Sequence, residues 1–243
     1  MKGVKMNTRK VALFAPCLVD SLYPEVAEDL VKVLRKVHAT VSYPEGQTCC
    51  GQPAFNAGHV DEARRAARHT VAVFQDADYV VLPSGSCAGM MRGHFPGLLG
   101  TDVGVSELAM RTYELSQFLV RVLGVDTLGG GLDGRRIAYH HGCHALRELG
   151  VHDEPVSLLR AAGAQVVAWE ADDECCGFGG LFSVKLPIVS TGMADRKLDT
   201  LPEVDLVTSA DGGCLMQMSG RSRHRGRSVR FRHLASVLWE AVA

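Results

Sequence analysis

Four short apolar runs punctuate the chain: Val11-Ala-Leu-Phe14, Tyr79-Val-Val-Leu82, Ile137-Ala-Tyr139 and Leu206-Val-Thr208, each leading into turn-forming residues. Runs this short, apolar throughout rather than alternating, predict strands buried on both faces, as in a parallel sheet covered by helices. Between them the spacing changes. Pro24 opens a stripe of Val26, Leu30, Val33, Leu34 and Val37, and a second stripe follows at Ala63, Ala66, Ala67, Thr70, Val71 and Phe74. Both stripes have helical spacing, and a proline in the first turn starts a helix. Two further strands are expected, at Thr40–Tyr43 and at Gln165–Trp169.

The pattern occurs twice. Cys17, Cys49, Cys50 and Gly51 recur 126 positions later as Cys143, Cys175, Cys176 and Gly177, and Cys87 recurs 127 later as Cys214. Every cysteine of the chain belongs to this repeat. The Gly129-Gly130-Gly131 stretch, with Asp133-Gly134, makes the natural seam, giving units of 1–128 and 129–243. The expected architecture is α/β: two tandem, similar Rossmann-like half-domains related by a pseudo-twofold, each a parallel sheet flanked by helices. In such a sheet the carboxyl ends of the strands lie along one edge, where ligands bind. Cysteines far apart in sequence, each placed after a strand, therefore meet there.

Composition narrows the chemistry. A 47% hydrophobic and 22% charged chain with formal charge −1 is ordinary for a globular protein and gives no general attraction to nucleic acid or anionic lipid. No apolar run approaches the ~20 residues of a spanning helix. Lys2, Lys5, Arg9 and Lys10 precede a run too short for a signal sequence, so a cytoplasmic location is expected, with any attachment to the inner face of the membrane made through partners. Thiols stay reduced there, which points eight cysteines toward metal or redox chemistry. Dinucleotide, P-loop and nucleophile-elbow motifs are absent, removing nucleotide and hydrolase readings. The run Arg221 to Arg232 holds six arginines, but with only Phe231 to stack on a base it reads as a solvated loop or an acidic-partner surface.

Thiolates suit zinc, copper(I) or iron–sulfur clusters. Structural zinc favours Cys-x-x-Cys knuckles, which this chain lacks; adjacent cysteines bite poorly on one tetrahedral ion and serve neighbouring irons better. Glycines beside the cysteines admit bulky sulfur and offer N–H donors, and helix N-termini favour the negative charge of a cluster. The candidate ligands are Cys17, Cys49, Cys50 and Cys87 for one centre and Cys143, Cys175, Cys176 and Cys214 for the other. In His140-His141-Gly142-Cys143-His144, one histidine is expected to cap the next helix or to bond a cluster sulfur. An imidazole ligand or proton relay is the alternative, disfavoured because the first copy has Phe14-Ala15-Pro16 and Leu18 instead. Asp172-Asp173-Glu174 reads as a solvated loop.

At these residues the chain resembles the cysteine-rich CCG-domain family. Within it, Cys49-Cys-Gly-Gln-Pro53, Pro83-Ser-Gly-Ser-Cys87, Glu174-Cys-Cys-Gly-Phe-Gly-Gly180 and Ala210-Asp-Gly-Gly-Cys-Leu-Met216 resemble the lactate utilisation protein A group. The resemblance implies an iron–sulfur electron-transfer component of an L-lactate oxidation system, lactate to pyruvate, acting as an oxidoreductase subunit with other iron–sulfur and electron-acceptor proteins. Subunits of glycolate oxidase-like or heterodisulfide reductase-like complexes are the alternative. Relatives of the latter kind end each copy in Cys-x-x-Cys and hold non-cubane clusters. Here Cys87 and Cys214 stand alone, so two [4Fe-4S] clusters are expected, with the non-cubane type as the alternative.

Overall fold

The structure is a computed structural model that describes residues 9–100 and 102–242; Lys2 and Lys5 lie outside them. It contains two four-stranded sheets, parallel throughout. The first is made of β1 (Lys10–Leu13), β2 (Thr40–Ser42), β3 (Tyr79–Leu82) and β4 (Thr112–Glu114), in the order β2-β1-β3-β4. The second, β5 (Arg136–Tyr139), β6 (Gln165–Val166), β7 (Leu206–Ser209) and β8 (Arg230–His233), has the same order, β6-β5-β7-β8. The central strands match the apolar runs, and Val80, Val81, Leu82, Ile137, Ala138 and Val207 have no solvent exposure. The expected strand at Gln165–Trp169 ends after two residues. Trp169 turns out of the sheet, and its indole nitrogen donates to the Lys197 carbonyl at 3.2 Å and to Thr200 Oγ1 at 3.1 Å.

Helix Pro24–Lys36 follows the predicted stripe. Leu30, Val33 and Leu34 are completely buried, each such side chain contributing roughly 1.5–3 kcal/mol by leaving water. Its partner is helix Leu234–Glu240 of the other repeat. Reciprocally, helix Asp153–Ala161 of the second repeat packs on the short helix Leu115–Gln117 of the first. A second reciprocal pair, Gly85–Gly89 on Cys143–Glu148 and Gly212–His224 on Cys17–Leu22, completes a pseudo-twofold interface. One apolar core runs through both halves, from Val11 and Leu30 to Ile137 and Leu238. The glycines of the seam lie against the end of the chain: a Cβ on Gly129 would stand 2.2 Å from the Ala241 carbonyl oxygen, and one on Gly131 2.4 Å from that of Glu240.

The arginine run is a loop only over residues 225–229. Arg221 and Arg223 close helix Gly212–His224, and Arg230 and Arg232 belong to edge strand β8. Arg221 grips Asp195 through two bonds of 2.7 Å, Arg225 reaches Asp199 at 2.6 Å, and Arg232 pairs with Glu240. Arg221, Arg225 and Arg232 are thus paired with carboxylates of the fold. Partly exposed pairs of this kind add little, so Arg221→Ala should leave the thermal midpoint within about 2 °C of the parent, measured by circular dichroism.

Candidate metal centre

Each cysteine follows the carboxyl end of a strand. After β1 the chain passes Pro16 and enters helix Cys17–Leu22 on its first residue; after β5 it passes Gly142 and enters helix Cys143–Glu148 in the same way. Cys87 and Cys214 lie in the first turn of the helices that follow β3 and β7. The vicinal pairs Cys49-Cys50 and Cys175-Cys176 occupy the loops after β2 and β6, and each pair runs into a glycine in the left-handed region, Gly51 at φ 85° and Gly177 at φ 82°. Only glycine fits there: a Cβ on Gly177 would sit 2.5 Å from the Ser190 carbonyl oxygen, and one on Gly51 3.2 Å from that of Ala63. The turn leaves the Gly177 N–H donating to Cys175 Sγ at 3.4 Å.

The eight thiols converge. In the first half Cys17 Sγ is 3.6 Å from Cys49 Sγ, and Cys50 Sγ is 3.3 Å from Cys87 Sγ. All eight cysteines are free and line a single cavity of about 300 Å³, bounded between the two sets by Ser86, Asp211 and Phe178. Cys50 and Cys176 are each 2% exposed and form its floor. Within each half the middle sulfur accepts from its neighbours: Cys17 and then Cys50 hold the Cys49 thiol well below its ordinary range, and Cys143 and Cys176 do the same for Cys175. Donation to Cys49, and then burial, pushes Cys17 up, and donation with burial also raises Cys50 and Cys176. Within each half the middle cysteine is thus the one whose thiolate is most favoured. Four soft donors, backbone N–H groups and side-chain-free glycines suit an inorganic core that is soft, bulky and negatively charged.

Asp211 ties the halves together. Its Oδ1 accepts from Ser84 Oγ and from the Ser86 N–H, both at 3.0 Å, while Ser84 Oγ accepts from the Cys87 N–H at 3.2 Å. Gln52 Nε2 donates to the Ser86 carbonyl at 3.1 Å. Sequence reasoning placed Asp211 in a motif without giving it a role; its three-residue lead on Cys214, matching that of Ser84 on Cys87, was the available signal. Lys197, also unforeseen, has no exposure. Its ammonium donates to the Ala171 and Asp172 carbonyls and lies 4.4 Å from the Trp169 ring centre. Burial lowers its pKa, against the opposing pull of Cys176 and Cys214.

The helix cap expected of one histidine is not formed. Helix Cys143–Glu148 has no side-chain cap, His144 bonds Glu148 Oε1 at 2.7 Å, and His141 stacks on His152 with ring centres 4.6 Å apart. His140 is fully buried, and one of its ring nitrogens lies within 4.8 Å of the Cys176 and Cys214 sulfurs. Burial holds it neutral, its pKa pushed down to about 3. Of the acidic stretch, Glu174 pairs with Arg196 at 2.7 Å on the surface.

A model of the CCG cysteine-rich domain matches residues 11–92 and again 137–219, so each copy takes in one set of four cysteines. The "Lactate utilization protein A" of Geobacillus kaustophilus is 45% identical over 235 residues, covering 94% of this chain and 98% of the relative. The chain belongs to this family of CCG proteins. Two further members, from Shouchella clausii and Bacillus velezensis, bear the same name and are 44% and 43% identical, each over 94% of this chain and 98% of their own length. Among solved structures, a hypothetical protein from Helicobacter pylori superposes with a TM-score of 0.68 at 8% identity, over 97% of this chain and 49% of that one. That likeness concerns the fold alone. The likeness to the named relatives extends over almost their whole length.

Proposed function

We propose that this chain is an iron–sulfur electron-transfer component of an L-lactate oxidation system. One cluster is held by Cys17, Cys49, Cys50 and Cys87 and the other by Cys143, Cys175, Cys176 and Cys214, both of the [4Fe-4S] type. The convergence of all eight thiols on one cavity carries the reading, and the name of the family members supplies the lactate. When bound, such clusters accept and donate single electrons. The chain's own residues do the rest. Cys49 and Cys175 give up their protons most readily, the Gly177 N–H steadies the charge on Cys175, and the largely apolar lining restricts water at the buried sulfurs.

Conversion of lactate to pyruvate releases two electrons and two protons, and it takes place on partner subunits that carry the remaining cofactors. Five exposed apolar residues, Leu181, Val184, Leu186, Ile188 and Val189, follow directly on Phe178 at the cavity. They offer an apolar face of the kind on which a redox partner docks beside the second centre. Among the described residues no helix is long and apolar enough to cross a membrane.

Anaerobic purification of the full chain should yield about eight irons with matching acid-labile sulfide and, on adding lactate and the co-purifying subunits, bleaching of the visible absorbance. Zinc at stoichiometric level without sulfide would overturn the iron–sulfur reading. The shared cavity also admits a disulfide substrate between the two centres; reoxidation by a disulfide, with no response to lactate, would favour that second reading.

A further inference from the structure

The repeats superpose in strand order, in the vicinal cysteines and in the glycine after them, yet they differ three residues before the first cysteine. The first copy has Phe14, wholly buried and packed on Phe74 with ring centres 5.6 Å apart. The second has His140, equally buried, its backbone N–H pinned to the Thr208 carbonyl at 2.8 Å. An imidazole brings two polar atoms into a place where the sister repeat keeps a hydrocarbon ring, and both need partners.

One partner is visible. His140 Nδ1 lies 3.1 Å from the Asp172 carbonyl oxygen. A carbonyl only accepts, so Nδ1 carries the hydrogen and Nε2 of the neutral ring bears a bare lone pair. A second ring proton would add a cation beside the buried Lys197 ammonium, which donates to the same Asp172 carbonyl. Nε2 is buried with no hydrogen-bond partner, and the ring stands by the Cys176 and Cys214 sulfurs. A donor to a cluster sulfur would need the opposite tautomer, with the bare nitrogen turned against the carbonyl. One ring N–H on a backbone carbonyl and the other nitrogen free is how metal-binding histidines are oriented.

We propose that His140 Nε2 is an iron ligand of the second centre, beside Cys176 and Cys214, and that the first centre has no nitrogen ligand. This rests on the iron–sulfur reading above. The second half then offers five donor atoms, four thiolates and one imidazole, and binding releases no ring proton because Nδ1 keeps its hydrogen. The imidazole adds a donor without adding negative charge, and the buried Lys197 ammonium beside it raises the potential of the second cluster. The repeat is thereby a graded pair, with the second centre the stronger oxidant.

The test uses the full chain, loaded and purified anaerobically, with iron and sulfide assayed, then reduced and examined by pulsed EPR after growth on unlabelled or ¹⁵N-histidine. The expected result is a nitrogen coupling of the size of direct ligation that changes with the isotope. It should persist in His141→Phe and vanish in His140→Phe, which restores the residue of the first repeat, with a changed midpoint potential for one centre only. Iron and sulfide present in the unaltered protein with no isotope-sensitive nitrogen coupling would overturn the ligand assignment and leave the cluster reading standing; survival of the coupling in His140→Phe would also overturn it. Absence of iron and sulfide from the unaltered protein would overturn both. The labelling measurement on the unaltered chain decides the matter even if the variant fails to fold.

Discussion

Cys50→Ser removes the first centre and spares the second: iron and acid-labile sulfide per chain fall to about half, and Cys176→Ser gives the mirror result. Both residues are 2% exposed at the floor of the cavity, each between a vicinal partner and the single cysteine of its repeat, with Cys50 Sγ 3.3 Å from Cys87 Sγ. On the proposed assignment the other seven cysteines are already divided between the two sets, so no thiol is left to take the vacated place. Serine keeps the shape but offers a hard donor that stays protonated at neutral pH, so one iron loses its anchor. The fold should survive, since the substitution is nearly isosteric and the core around Val80 and Leu82 is unaltered. Iron and sulfide assays with circular dichroism check this. Unchanged loading in both single variants would show that the vicinal cysteines are core residues and not ligands. The double variant should carry no cluster at all.

The central strands that sequence reasoning located are those whose residues face apolar surroundings on every side. Val11, Leu13, Val80 and Val81 are central-strand residues with almost no exposure, so their identity reports their position. Edge strands leave weaker marks. β4 reads Thr-Tyr-Glu and β8 reads Arg-Phe-Arg-His; both lie at the outer edge of a sheet, where charge and short length guard against pairing with another chain. The arginine run was misread for a related reason: its acidic partners, Asp195 and Asp199, lie on the preceding helix, and nothing local pairs them with Arg221 and Arg225.

The cysteine sets were legible because the repeat spaces them alike. The joining of both sets in one cavity was not, because it depends on helices such as Gly85–Gly89 and Cys143–Glu148 meeting across the pseudo-twofold. That contact needs a glycine at position 85, where a Cβ would stand 2.4 Å from Ala145 Cβ. Such a requirement belongs to the assembled pair and to neither repeat alone. Lys197 was hidden differently, as a charge on an otherwise ordinary helix whose burial follows only from the Ala171 and Asp172 carbonyls reaching it.

The pseudo-symmetry also sets two buried caps against each other in pH. Glu114 ends β4 and caps helix Leu115–Gln117, its Oε2 accepting from the Ser116 N–H at 2.9 Å and the Gln117 N–H at 3.2 Å. His233 ends β8 and caps helix Leu234–Glu240, its Nδ1 accepting from the Ala235 N–H at 3.1 Å while Nε2 donates to the Pro83 and Ala210 carbonyls. Burial raises Glu114 from 4.5 to about 7 and lowers His233 from 6.5 to about 4. For Glu114 the native state holds the proton more tightly than the unfolded chain, so its contribution is complete below pH 4.5 and is lost as the pH rises through 7. For His233 the native state resists protonation, so its contribution is complete above pH 6.5 and is lost as the pH falls through 4. The windows overlap with opposite slopes. Glu114→Gln removes the descending component alone. Against the parent, it should gain about 2 kcal/mol between pH 5 and pH 7.5 in the difference of unfolding free energies. Anaerobic urea titrations of both proteins at the two pH values measure that difference. Parallel stability profiles would mean that Glu114 stays ionised in the fold, with water or a cation reaching the Oε1 that has no hydrogen-bond partner.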